Sequence, residues 1–316
     1  MQKPLKILVV RFSSIGDIVL TTPVVRVLKK QINAEVHFLS FSKYSNLLLG
    51  NPYIDTVYTI DENINEIILV LIKEKFDLLI DLHHNIRTQL LKQKLGIPSK
   101  SFRKLNVHKW LMTTFKINLL PKIHIVDRYL ETIKHLGITN DNLGLDFFLM
   151  DRDKVKNLPI DYIVFAIGGK HKTKILPTEK IISICNKLNK QAILIGGKED
   201  FERGEKIVSA TSNIQNACGK YSVRQSAFII KNAKYVITHD TGMMHIAAAL
   251  KKKIYSVWGN TIPAFGMSPY LVNPNSKIIE VENLSCRPCT KIGFEKCPKG
   301  HFDCMQKIDE NLFLSK

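Results

Sequence analysis

The chain has 316 residues, of which 45% are apolar and 23% charged, a balance that fits a soluble globular protein and excludes disordered and fibrous classes. A usual domain holds roughly 100–200 residues, so this length predicts two cores. Lys and Arg number 46 against 28 Asp and Glu, and the resulting net charge of +18 attracts anions such as nucleic acid, an anionic membrane surface or a phosphorylated substrate.

Near the N-terminus the apolar stretch 7–10 is cut off by Arg11, short of the roughly 7–15 residues of a secretory apolar region. No apolar run approaches the roughly 18 residues of a membrane span. A cytoplasmic protein is expected, with any membrane contact peripheral and its six cysteines reduced.

Residues 6–10 (KILVV) read as a buried strand, and 16–30 as a helix with Ile18, Leu20, Val24, Val25 and Leu28 facing a core. A strand at 36–39, a helix running to Leu49, a strand at 56–60, a helix at 64–75 and a strand at 77–81 follow. Apolar strands separated by helices indicate parallel βαβ units. Residues 150–159 (MDRDKVKNLP) are polar, end in proline and read as a linker. The strand rhythm then resumes at 162–167, 192–195, 235–238 and 254–258. This pattern predicts an α/β chain of two Rossmann-like, doubly wound domains facing each other across a cleft, residues 1–152 and 153–316.

Such a fold hosts many chemistries, so function must come from particular residues. Arg11-Phe12-Ser13-Ser14-Ile15-Gly16-Asp17 lies where the first strand ends and the first helix begins, the crevice in which open α/β sheets bind ligands. Asp17 falls in the first helical turn, where a carboxylate serves either as a cap or as a general base at the cleft mouth. The turn is neither a dinucleotide fingerprint nor a Walker loop. His239-Asp240-Thr241-Gly242-Met243-Met244-His245 forms a second strand-to-helix turn, suited by its outward N–H groups to a diphosphate or to a plain N-cap. Lys174, before the helix start at Pro177-Thr178, and Glu199, beyond Gly196-Gly197, are candidates for phosphate and ribose contacts or solvated surface charges.

Together these segments resemble glycosyltransferase family 9, the ADP-heptose:lipopolysaccharide heptosyltransferases. RFSSIGDIVLTTPVVRVLKK is similar to the family's opening segment, NPYIDTVYTID to the stretch after it, and HDTGMMHIAAALKKKIYSVWGNTIPA to its nucleotide-binding segment. The resemblance covers nearly the whole chain. It implies a GT-B fold and an inverting, metal-independent transfer of a sugar, heptose from ADP-heptose, with no cofactor. It assigns Asp17 as general base. It places Lys174 on the donor diphosphate, Glu199 near the nucleoside, and Asp240, Thr241, Gly242 and His245 at the donor-sugar and phosphate turn. Leu176 departs from the family's usual tryptophan.

From Leu82 to Val126 there is no Asp or Glu, while Arg87, Lys92, Lys94, Lys100, Arg103, Lys104, Lys109, Lys116 and Lys122 are basic and Phe102, Trp110 and Phe115 are aromatic. The block reads either as a solvated Lys-rich face or as an acceptor surface against an anionic leaflet. The second reading agrees with the family's acceptor, a Kdo-bearing lipid A precursor, and would put the protein peripherally on the inner membrane. Ser14, Gly16, Lys100, Arg103 and Lys104 are the acceptor-binding candidates.

Cys286, Cys289, Cys297 and Cys304 have partly zinc-like spacing, but six residues between the last two exceed a zinc-ribbon knuckle. Reduced structural thiols, no metal site and a monomer are expected. Three alternatives stay open: a relative using another nucleotide sugar for another surface glycan, a basic nucleic-acid-binding protein, which lacks any recognised motif, and a non-enzymatic sugar-nucleotide sensor.

Overall fold

The apolar runs become strands because parallel strands are covered on both faces and tolerate few polar side chains. The computed structural model describes residues 3–314. It divides into two compact units, Met1–Lys104 with Ile123–Met150, and Leu105–Lys122 with Asp151–Lys316.

The first unit runs β1 (Lys6–Val10), α1 (Ile15–Val19), α2 (Thr22–Ile32), β2 (Glu35–Phe41), β3 (Thr56–Ile60), α3 (Ile68–Lys73), β4 (Leu78–Asp81), α4 (Ile86–Leu95) and β5 (Ser99–Ser101). Its sheet has the order β3-β2-β1-β4-β5 and every pairing is parallel. Ile7 stands opposite both Val36 and Leu78, so β1 is central. The winding reverses between β1 and β4, and the carboxyl end of β1 is therefore the switch point where such sheets bind ligands. Leu8, Val10, Phe12, Leu39, Leu79 and Leu91 pack in the core beneath it.

The helix expected over 16–30 is two helices. Pro23 in the first turn of α2 has no N–H to give the carbonyl of Val19. The Thr22 hydroxyl takes that carbonyl at 2.8 Å, and the Thr21 hydroxyl takes Ile18's at 2.7 Å. The expected helix ending at Leu49 is a 3-10 segment, Ser42–Leu48. The one expected over 64–75 is a 3-10 turn, Ile64–Glu66, followed by α3.

In chain order α5 (Asn106–Phe115) and α6 (Ile125–Leu130) come next. Segment Leu105–Lys122, expected with the first domain, packs with the second unit. Lys116 Nζ donates to the Pro288 carbonyl at 2.8 Å, and Lys109 lies over the Phe265 ring at 5.5 Å. The second unit continues through β6 (Ile163–Ala166), α7 (Thr178–Leu188), β7 (Ala192–Ile195), α8 (Phe201–Ser209), β8 (Ile214–Asn216), α9 (Val223–Asn232), β9 (Tyr235–His239), α10 (Gly242–Ala249), β10 (Lys253–Trp258), β11 (Lys277–Glu280) and α11 (Asp303–Gln306). The sheet order is β11-β10-β9-β6-β7-β8, again all parallel. Phe165, Leu194, Ile237 and Val257 fill its core, and Met305 of α11 closes it.

The units divide at Met150 and Asp151, within the polar stretch. That stretch is anchored, because Arg224 of α9 grips the buried Asp153 carboxylate at 2.6 Å. Among the described residues no helix is long and apolar enough to cross a membrane.

Candidate active site

At the switch point of the first unit, Ser14 caps α1 and Asp17 is the third helical residue. The Asp17 carboxylate reaches back to the Ser14 N–H at 3.1 Å and accepts from the Ser14 hydroxyl at 2.8 Å. Its other oxygen pairs with the Arg11 guanidinium at 2.8 Å. Arg11 ends its strand inside the core, 8% exposed, where a cation survives only if each N–H is used. It donates to the Ser13 carbonyl at 2.6 Å, to the Leu82 carbonyl, and to the Tyr129 hydroxyl at 3.1 Å. Burial works most strongly against its charge, but Asp17, Tyr129 and Asp81 together outweigh it and raise the guanidinium's pKa. Asp17 is thus both a cap and an oriented anion.

His83, just past β4, shares this neighbourhood. Burial first, then the Arg11 and Lys104 charges, push its pKa down to about 4, so the ring is neutral. Its Nδ1 is enclosed without a hydrogen-bond partner, and its edge meets the Phe12 ring with centroids 5.3 Å apart. Asp81, fully buried, is held by Lys92 at 3.0 Å and by the His83 and His84 amides at 3.0 and 2.6 Å. Lys92, read from the sequence as part of a basic face, is therefore spent inside.

In the second unit, Lys174 and the α10 turn come together. Lys174 Nζ pairs with Asp240 at 2.5 Å, and the Thr261 hydroxyl donates to the same carboxylate at 2.9 Å. Thr241 caps α10, so the free amides of the first turn open at this point. Gly169 packs so closely on that turn that an added Cβ would stand 3.2 Å from the Thr241 methyl. At the end of β7 the Glu199 carboxylate lies where a Cβ on Gly197 would stand, 2.3 Å from one oxygen. Both glycine pairs, 168-169 and 196-197, keep the carboxyl edge of the sheet open.

The sequence profile of glycosyltransferase family 9 (heptosyltransferase) matches residues 66–298. The chain belongs to this family. Lipopolysaccharide heptosyltransferase 1 of Campylobacter coli is 23% identical over 297 residues, covering 81% of this chain and 84% of that protein. Among solved structures, a family 9 glycosyl transferase from Veillonella parvula superposes with a TM-score of 0.73 at 23% identity, over 86% of this chain and 85% of that one. The E. coli ADP-heptose LPS heptosyltransferase II does so with a TM-score of 0.73 at 19% identity, over 96% and 98%. The fold is GT-B.

Within this family 9 chain the residues singled out by resemblance are not equally placed. Lys174, Asp240, Thr241 and Gly242 form one cluster, with Glu199 on the neighbouring loop. His245 is only 2% exposed, enclosed within α10. Leu176, at the usual tryptophan position, points into the core. Its N–H donates to His239 Nε2 at 3.0 Å, and burial, aided by Arg203, lowers that histidine's pKa to about 3 so that it stays an acceptor. Ser14 and Gly16 sit in the Asp17 turn. Lys104 reaches the His83 neighbourhood, whereas Lys100 and Arg103 are exposed on and beyond β5.

Sequence reasoning missed Arg11, His83, Tyr129 and Thr261. The signal for Arg11 was present, since a cation ending a buried strand needs a carboxylate nearby. Tyr129 is distant in sequence and gives no such signal. Cys286, Cys289, Cys297 and Cys304 are free thiols. Burial raises the Cys289 thiol, with its cysteine neighbours adding to the rise, and pushes Cys304 up to about 12. Among the described residues no group of three or more His, Cys, Asp or Glu stands ready to hold a metal ion.

Proposed function

We propose that the chain transfers heptose from ADP-heptose to a Kdo-bearing lipid A precursor, with inversion at the anomeric carbon and without a metal or cofactor. The acceptor hydroxyl attacks the anomeric carbon from the face opposite the diphosphate. Its proton passes to the Asp17 carboxylate as the new C–O bond forms. The bond from the anomeric carbon to the diphosphate oxygen breaks, and ADP leaves with the electron pair. Charge building on the diphosphate is met by Lys174 and the α10 amides at Thr241-Gly242. Asp240 orients Lys174, Glu199 takes the ribose hydroxyls, and His245 supports the turn from inside α10. Ser14, Gly16, Lys100, Arg103 and Lys104 face the acceptor. The protein works as a monomer in the cytoplasm, peripherally on the inner membrane.

The observation that carries this reading is the Arg11–Asp17 pair at 2.8 Å on the switch-point turn. A cap needs no buried cation behind it, whereas a base gains a fixed orientation from one. The test is Asp17→Asn, which keeps the side-chain shape. Turnover should fall by roughly 100-fold or more, with ADP affinity close to the parent's. Transfer at the parent rate sinks the mechanism, and a product retaining the donor's anomeric configuration sinks inversion.

A further inference from the structure

Between the cysteines of the C-terminal stretch stands Arg287, and the proposed transfer gives it no part. Its side chain is only 6% exposed, so its N–H groups need acceptors inside the protein. Glu280, at 2.7 Å, balances the charge. The other acceptors are carbonyls: Gly259, Val281 at 2.8 Å and Thr261 at 2.9 Å. Gly259 and Thr261 belong to one short loop, 259–261, just past β10. The loop's own side chains hold it poorly, since Gly259 has none and the buried Asn260 amide finds no hydrogen-bond partner among the described residues. Its backbone is gripped from the C-terminal stretch instead, by Arg287 and by the Cys289 N–H, which donates to the Asn260 carbonyl at 3.0 Å.

What this loop presents to the α10 turn is the Thr261 hydroxyl. It donates to Asp240 Oδ2 at 2.9 Å, the same oxygen that Lys174 pairs with. Two donors on one carboxylate oxygen fix its orientation and share its charge. The hydroxyl therefore loosens the hold of Asp240 on the Lys174 ammonium and leaves that cation available to a second anion. The C-terminal stretch also braces the segment of Lys174 itself. The Thr173 N–H donates to the Phe294 carbonyl at 3.0 Å, and the Phe294 N–H donates to the Thr173 hydroxyl at 2.8 Å. Loop and segment touch at Gly259, where an added Cβ would stand 2.9 Å from the Thr173 carbonyl.

We propose that Arg287 and Thr261 are positioning residues of the donor site: Arg287 fixes loop 259–261, the Thr261 hydroxyl fixes Asp240, and Asp240 then holds Lys174 aimed at the donor diphosphate. The proposal rests on the reading that Lys174 serves the diphosphate, and adds a layer behind it that touches no substrate. An arginine buried there for stability alone would act on the whole unit and not on the diphosphate in particular.

The test is the affinity of the full chain for ADP and for adenosine. Thr261→Val keeps the side-chain shape and should weaken ADP about fivefold, less than the loss of a direct hydrogen bond to a charged group. Adenosine, which has no phosphate, should bind that variant as it binds the parent. Thr261→Ser restores the hydroxyl and should restore ADP affinity. Arg287→Lys keeps the charge but cannot serve all four acceptors, and should weaken ADP to a similar extent. On an Asp240→Asn background, Thr261→Val should change ADP affinity by less than about twofold, because the hydroxyl acts through that carboxylate. Parent-like ADP affinity in Thr261→Val or Arg287→Lys overturns the proposal. So does an equal loss of adenosine, a Thr261→Ser that fails to rescue, or an undiminished Thr261→Val effect on Asp240→Asn. Unchanged ADP affinity in Lys174→Ala strikes the donor reading and this proposal together. ADP binding lost in Lys174→Ala but kept in Thr261→Val strikes this proposal alone.

Discussion

At the residue scale, the two candidate turns share one arrangement: a charged side chain at a strand-to-helix turn is held by a second, opposite charge. Lys174 and Asp240 illustrate it, with side chains only 17% and 12% exposed. If Lys174 serves the diphosphate, Lys174→Ala should abolish most of the rise in melting temperature that ADP produces. Asp240→Asn keeps the cation and removes its competitor, so ADP should still stabilise that variant. A purely structural pair predicts otherwise: both variants would lose stability together and leave the ADP shift unchanged. Asp17→Asn carries a structural cost as well, because Arg11 keeps only neutral partners. A loss of about 1–3 kcal/mol is expected from the unmatched buried group, measured by denaturant unfolding. Much of the candidate site's layout was legible. Asp17, Lys174 and Asp240 stand in local patterns of strand end, glycine and helix start. Arg11's other partners, Leu82 and Tyr129, are 71 and 118 residues away. Only folding brings them together.

At the element scale, strands were easier to read than helices. The runs at 6–10, 56–60 and 192–195 are strands as expected, since both faces of a parallel strand demand apolar residues. The edge strand Ser99–Ser101 was not foreseen, because its sequence, SKS, carries no apolar signal. The break at Thr21 follows from Pro23 and was available in principle. α5 packs only lightly on its unit. None of its residues is buried, and Val107, Trp110 and Phe115 are 67%, 55% and 57% exposed. It lies in the stretch without acids, and an amphipathic helix with a lysine, Lys109, and an exposed tryptophan fits an anionic leaflet. Replacing Trp110 and Phe115 with serine should lower co-sedimentation with anionic vesicles several-fold. ADP binding is the control, since α5 packs with the second unit, where the donor is proposed to bind. Undiminished vesicle binding, or equal binding to neutral vesicles, removes α5 from the membrane.

At the scale of the whole molecule, the residues of the proposed chemistry are divided between two cores. Asp17, Arg11 and His83 belong to the first unit. Lys174, Glu199, Asp240, Thr241 and Gly242 belong to the second. On the proposed reading each ligand has its own scaffold, and mass action stabilises the scaffold it binds by RT ln(1 + [L]/Kd), about 2.7 kcal/mol at a ligand concentration of 100 Kd. Amide hydrogen exchange separates the two. ADP should slow exchange most in the segments around 168–175, 196–200 and 240–245. An acceptor fragment should slow it most around 11–17, the turn that carries Asp17. The Asp153–Arg224 grip at the start of the second unit should be indifferent to both ligands, because it touches neither site. ADP protection concentrated in the first unit would refute the assignment of the donor to the second, whatever the activity of the Asp17 variant. Protection in the second unit that vanishes in Lys174→Ala would tie the donor to that lysine and its turn by a readout that does not depend on turnover.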